Sequence, residues 1–321
     1  MRVMRTVTEA RWAVLAATLA VLSVALSACG GGSSEPAVQP APAEAPQPSA
    51  TPQSPATQDT GITVALASSD LGVGENRVAF GLIDAVRGAI KGAQVEVQTF
   101  FVTDAGTQGP SQTVDAVFRE WPGGVGGVYV AMLSFDQPGN WMLGVSLPQP
   151  DGSTARIGTI AQVGERSRTP PIGSPAPPSD NKSARDVTNL DELTTDTAPD
   201  PELYAMTIAE ALQEGTPLLV TFATPAYCTS ATCGPQVDVV KEVKERHGAQ
   251  MNFIHIEVYD NPPEIREGGV KQARISPTLA EWNLATEPWT FIMDSQGMVR
   301  AKFEGFVGAA ELEEAILQVI R

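Results

Sequence analysis

An apolar run over residues 218–222 leads into Phe222-Ala-Thr-Pro-Ala-Tyr-Cys228-Thr-Ser-Ala-Thr-Cys233-Gly-Pro235, after which Val237, Val240 and Val243 recur with a helical period. A strand therefore delivers two cysteines to the start of a helix. Gly234 and Pro235 mark that start, because proline suits the first turn, where its missing N–H would have had no partner. Cys233 lies beside the helix N-terminus, whose free N–H groups and macrodipole bias a thiol toward thiolate, the form that attacks disulfides. Cys228 lies five residues upstream, so the pair can cycle between dithiol and disulfide. The competing reading is a static bridge. On the chain-entropy model a loop of about six residues contributes only roughly 2 kcal/mol, which makes this a poor staple and better redox geometry.

The N-terminus carries Arg2, Arg5 and Arg11, an uncharged run over residues 12–25, and then Leu26-Ser27-Ala28-Cys29. That is the layout of a secretory signal. The run is short against the roughly 20 residues of a membrane span, and no basic stop-transfer cluster follows. Leu26 to Cys29 resembles the bacterial lipoprotein box, which implies a signal peptide over 1–28, lipidation of Cys29, and an extracytoplasmic chain anchored to the bacterial membrane through that lipid. The chain has three cysteines. Lipidation of Cys29 leaves Cys228 and Cys233 as a single pair in an oxidising compartment. The net charge of −16 includes the three signal arginines, so the mature chain is still more acidic and offers no basic face for nucleic acid.

Composition divides the remainder. Residues 29–61 are rich in Pro, Ala and Ser and read as a disordered tether, and residues 164–199 read as a Pro-rich linker. Between them, over 62–163, short β-type runs at 62–67, 77–83, 95–102, 128–135, 141–147 and 156–161 are separated by turn residues such as Pro138-Gly139-Asn140 and Asp151-Gly152. The spacing predicts an all-β sandwich, with Val95, Val97, Thr99 and Val128, Val130, Met132 alternating onto a buried face. Tyr129 and Trp141 read as core aromatics, Met132 and Met142 as core filling. The stretch from Gly126 through Tyr129 to Pro138-Gly139-Asn140-Trp141 resembles the immunoglobulin-like extracytoplasmic domains of the YtkA and FixH type.

Over 200–321, helix and strand signals alternate and end in a hairpin and a final helix, which predicts an α/β domain with a mixed sheet flanked by helices. Asp200-Pro201-Glu202 opens a helix closed by Gly215. Strands are expected at 218–222, 252–258, 289–294 and 298–303. The order, with Cys233-Gly-Pro235 at a helix start and Glu287-Pro288 before a strand, resembles the thioredoxin fold over about 201–321, of the TlpA and Sco sort. That resemblance implies that Pro288 is a cis-proline opposite the cysteines and that Tyr227, Glu287 and Pro288 dock an extended substrate. Tyr227 stands where the family places a tryptophan, the pair is Cys-x4-Cys instead of Cys-x2-Cys, and the strand before the site offers Thr221 where a buried acid is usual. Either cysteine fits the attacking role: Cys233 by its helix end, Cys228 by its place after the strand.

The function expected is a membrane-anchored thiol-disulfide oxidoreductase that uses Cys228 and Cys233 on protein thiols and disulfides of the cell envelope, without a cofactor or bound metal. One alternative is a Sco-like copper-handling factor, with Cu(I) held by the thiolates but no evident metal histidine. Another is a non-catalytic binding lipoprotein. A peroxidase loop is suggested only loosely by Thr224-Pro225 before Cys228. His247 and His255 read as structural, and no phosphate loop, zinc-type cysteine cluster or serine-histidine-acid set is present.

Overall fold

The computed structural model describes residues 60–121, 124, 126–228 and 232–321. The expected signal peptide, Cys29 and the expected tether up to residue 59 lie outside them. No helix among the described residues is long and apolar enough to cross a membrane.

The first part is a large β-sheet domain. Its strands are β1 (Ile62–Leu66), β2 (Leu71–Gly72), β3 (Gly74–Asp84), β4 (Gly88–Ala89), β5 (Val95–Thr103), β6 (Gly106–Glu120), β7 (Gly127–Phe135), β8 (Gly139–Pro148) and β9 (Thr154–Gly164). They run in the order β1-β3-β7-β6-β5-β8-β9-β2, with β4 paired to β3. β6 carries the turn-over of the sheet: residues 106–116 pair with β5 and residues 117–120 with β7. Inward side chains from both ends then share one core that includes Phe80, Leu82, Tyr129, Leu133, Phe135, Trp141 and Leu143. The polar tips of the two large aromatics are satisfied, Tyr129 Oη accepting from Ala93 N at 3.0 Å and Trp141 Nε1 donating to Gln137 O at 3.1 Å.

Two expectations change here. β6 is not among the expected strands: Gly106, Gly109 and Pro110 break up its first half, and the alternating Val114, Ala116 and Phe118 that turn to the core occupy only its second. In β7 the core takes Tyr129, Ala131, Leu133 and Phe135, not the Val128, Val130, Met132 set, and Met132 is 51% exposed. Val128 and Val130 are buried on the outer face instead, in a small cluster with Ala79 and Trp121. A strand that is apolar on both faces hides its orientation from periodicity.

The second part builds α1 (Ile208–Gln213), β10 (Leu218–Ala223), α2 (Cys233–His247), β11 (Asn252–Glu257), α3 (Pro262–Gly268), α4 (Pro277–Glu281), β12 (Trp289–Met293), β13 (Val299–Glu304) and α5 (Ala309–Val319). The sheet order is β11-β10-β12-β13, with β10 parallel to β11 and antiparallel to β12. α2 and α5 cover one face and α1 and α4 the other, so every residue of β10 is buried. The expected first helix is split. Asp200 caps a short 3-10 turn, Pro201–Tyr204, and Thr207 then opens α1 through a reciprocal capping box with Glu210.

Residues 165–199 are laid along this second domain. Gly173 N donates to Val299 O at 2.8 Å, Val299 N to Ser174 O at 2.8 Å and Ala176 N to Gly297 O at 2.9 Å, which places the segment on the outer edge of β13. Further along, Ala184 N donates to Tyr204 O at 2.8 Å, and the Arg266 guanidinium donates to Asp191 O and Thr194 O, both at 2.5 Å. The prolines supply no N–H, so the segment docks by scattered single bonds and not by a long ladder.

Candidate functional site

The site grows from the C-terminal end of β10. The strand runs out at Ala223, the chain turns through Thr224 to Tyr227, and Cys233 is the first residue of α2. Cys228 and Cys233 form a disulfide with their Cα atoms 5.8 Å apart. The two sulfurs are unequal in access: Cys233 is fully buried, whereas Cys228 and Tyr227 are half-buried. Gly234 and Pro235 lie in the first turn of α2.

Glu287 and Pro288 come from the neighbouring strand. Trp289 is in register with Phe222, so Pro288 lies at the level of Ala223, beside the chain that leads into the cysteine loop. The Glu287–Pro288 peptide is cis, and Pro288 O accepts from Gly305 N at 2.8 Å. Burial pushes the Glu287 carboxyl above the ordinary range. Thr221, the neutral residue on β10, is fully buried and donates to Trp289 O at 3.2 Å, with Thr290 Oγ1 3.1 Å away.

A buried acid is nevertheless present, one strand over. Glu257 is the last residue of β11, in register with Ala223. Its Oε2 accepts from Thr195 N and Thr195 Oγ1, each at 2.7 Å, and Thr195 Oγ1 in turn accepts from Ala226 N at 3.2 Å, two residues before Cys228. Burial holds the Glu257 carboxyl up, against hydrogen bonds from Thr195, Thr224 and Tyr259 that pull it down. Two residues back, His255 has its Nδ1 2.7 Å from Tyr204 Oη and its Nε2 3.2 Å from Ala223 O. Burial drives its pKa down to about 4, so the ring is neutral at ordinary pH. Tyr204, His255 and Glu257 face a cavity of about 260 Å³, rimmed by Asp180, Tyr259 and Glu281.

Sequence reasoning missed Glu257 and Thr195. The available signal was the pairing of His255 with Glu257 at a strand period inside the apolar run 252–258, which puts two titratable groups on one buried face. Among the described residues no three histidine, cysteine or acidic side chains stand together as a metal site.

The raised pKa of Glu257 has a measurable sign. The folded state keeps a proton that the unfolded chain releases near 4.5, so this group's contribution to stability declines as pH rises from about 4.5 toward the folded value. Glu257→Gln still offers Thr195 an acceptor and cannot ionise. Its stability relative to the parent is expected to improve as pH rises through that window, read by urea unfolding at a series of pH values. A difference that stays constant with pH would refute the buried-acid assignment.

Comparison with known proteins agrees with this architecture in the C-terminal part. Residues 204–320 match the family model described as a thioredoxin-like domain. The chain thus ends in a thioredoxin-like domain, preceded by a large β-sheet domain. Among solved structures, the chain is similar to a putative thiol:disulfide interchange protein DsbE from Chlorobium tepidum, at 16% identity over 33% of this chain and 82% of that one, with a TM-score of 0.28. It is also similar to a DsbF homologue from Corynebacterium diphtheriae, at 20% identity over 36% and 78%, with a TM-score of 0.28. A third is MTB dsbF, at 20% identity over 36% and 87%, with a TM-score of 0.29. No curated protein matches the chain.

Proposed function

We propose that this protein is a thiol-disulfide oxidoreductase of the bacterial cell envelope, anchored through a lipid on Cys29, with Cys228 as the exchanging sulfur and Cys233 as the resolving one. The observation that carries the reading is the Cys228–Cys233 disulfide at a strand-to-helix junction of a thioredoxin-like domain, with one sulfur reachable and the other fully buried.

In the reducing direction the Cys228 thiolate attacks one sulfur of a client disulfide. The client S–S bond breaks, one client sulfur leaves as a thiolate that takes up a proton, and a Cys228–client mixed disulfide forms. Cys233, deprotonated at the start of α2, then attacks Cys228 Sγ. The mixed disulfide breaks, the second client thiol leaves, and the Cys228–Cys233 bond is restored, two electrons having passed to the client. The oxidising direction is the same sequence reversed. The start of β12 beside the loop suits a client bound in extended form, with Tyr227 and Glu287 at its border.

The deciding measurement is the reduction potential of the pair, by equilibration in thiol buffers. A value between about −120 and −270 mV is expected, the span of known thiol-disulfide catalysts. A value below about −300 mV would make the bridge structural and sink the proposal.

A further inference from the structure

The β-sheet domain is tied to the thioredoxin-like domain at two places, near the strand start that follows Glu287–Pro288 and at the start of α5. On one side, Thr286 directly precedes Glu287–Pro288; its Oγ1 accepts from Trp289 Nε1 at 3.0 Å and donates to Glu304 Oε1 at 2.8 Å. Glu304 Oε2 accepts from Ser69 N at 2.7 Å, in the corner between β1 and β2. On the other side, Val307 N donates to Gln236 Oε1 at 2.8 Å, one helical turn along α2 from Cys233. Just beyond Val307, in the first turn of α5, Glu311 receives Arg77 Nε at 2.7 Å and Nη2 at 3.0 Å, with Arg119 Nε at 3.6 Å. Arg77 also lies over the Phe303 ring, 5.6 Å from its centroid. The Arg77–Glu311 pair is nearly buried, which makes it costly to break.

Trp121 follows Arg119 by two residues, at the end of β6. It rests on Ala79, Val128 and Val130 of its own domain and packs against the core cluster of the thioredoxin-like domain, which extends from Leu219 and Ile292 of the sheet through Leu312 and Ile316 of α5 to Cys233, and against which Cys228 also packs. Its N–H donates to Gly126 O at 2.9 Å, and a Cβ at Gly126 would come within 2.6 Å of the indole, so glycine there lets the ring lie on the backbone. The indole Nε1 is buried without a hydrogen-bond partner among the described residues. The ring is held by packing, and its contribution is bulk.

We propose that the β-sheet domain forms part of the disulfide site, with Trp121 as a wall that narrows the approach to Cys228 so that a client reaches the sulfur as an extended polypeptide segment and not as a folded surface. Its biological meaning rests on the exchange reading above; its test does not. In the full chain, reduced with dithiothreitol, alkylation of Cys228 is followed by peptide mass mapping with two reagents, iodoacetamide and a maleimide carrying a long polyethylene glycol chain. Trp121→Ala is expected to speed the bulky reagent by about tenfold while changing iodoacetamide by less than about twofold. Glu311→Gln, which weakens the hold of both arginines without touching Trp121, shifts the ratio the same way by a smaller factor and covers the case in which Trp121→Ala does not fold. Equal acceleration of both reagents, or no change in either variant, overturns the proposal. Neither reagent requires a redox partner, so a pair with a structural potential would end the exchange reading and leave this result standing.

Discussion

Cys228→Ser is expected to reduce disulfide exchange with a model client by at least about a thousandfold, the scale on which loss of an attacking group is felt, whereas Cys233→Ser leaves the first step intact and accumulates a mixed disulfide. The asymmetry follows from access. Cys228 is half-buried and Cys233 fully buried, so a client sulfur meets Cys228 first and Cys233 acts only on Cys228. A serine hydroxyl is too weak a nucleophile at neutral pH to resolve the intermediate, so the covalent complex persists. Intact mass measurement after incubation with a disulfide-bearing peptide, with and without reductant, reads the adduct directly. Trapping by Cys228→Ser and turnover by Cys233→Ser would reverse the assignment.

Trp282→Ala is expected to cost about 3–5 kcal/mol of stability, the range for large aromatic truncations in a close-packed core. Trp282 is fully buried, with its ring centroid 5.0 Å from that of Phe222 and 4.9 Å from that of Phe291, so it spans the contact between α4 and the strand that leads to the cysteines. Its Nε1 donates to Ser179 Oγ at 3.0 Å, which fastens the docked segment 165–199 from beneath. Trp282→Phe keeps most of the apolar volume and loses that bond, so a smaller loss is expected, from about 1 kcal/mol for the hydrogen bond upward. Urea unfolding of the parent and both variants separates packing from hydrogen bonding. A Trp282→Ala loss under about 1 kcal/mol would mean that the cavity collapses freely and that the ring is not an anchor.

The parts of the site legible in the sequence are those whose chemistry is local. The apolar run, the two cysteines, Gly234-Pro235 and the valines of α2 are contiguous, so spacing alone placed a cysteine pair at a helix start. Glu287–Pro288 could be placed by resemblance because the motif is also contiguous. Glu257 and Thr195 are different: their contact joins residues 62 positions apart, and a lone acid at a strand end does not announce its partner. Thr195 lies in a stretch whose composition reads as linker, and the chain docks there through single hydrogen bonds that leave no periodic signature. The β-sheet domain was legible as strands and not as faces. β7 is apolar on both sides because its outer side is covered near Trp121, so alternation pointed to the wrong set at Met132, and β6 turns Val114, Ala116 and Phe118 inward only after a first half broken by Gly and Pro.

The segment at residues 173–176, hydrogen-bonded along the start of β13, also determines how this domain can meet other chains. β13 is the outermost strand of its sheet, and a bare outer strand is a template for adding another strand from a client or a second copy. Here that position is filled from within at Gly297 and Val299, and Glu304 at the far end is tied to Ser69. Proline at 175 and 177 gives the added segment a poor donor pattern of its own, so the extension stops after one layer. Capture of unfolded chains by strand addition at the start of this edge is thereby blocked, and growth of the sheet past Gly297 and Val299 is blocked with it.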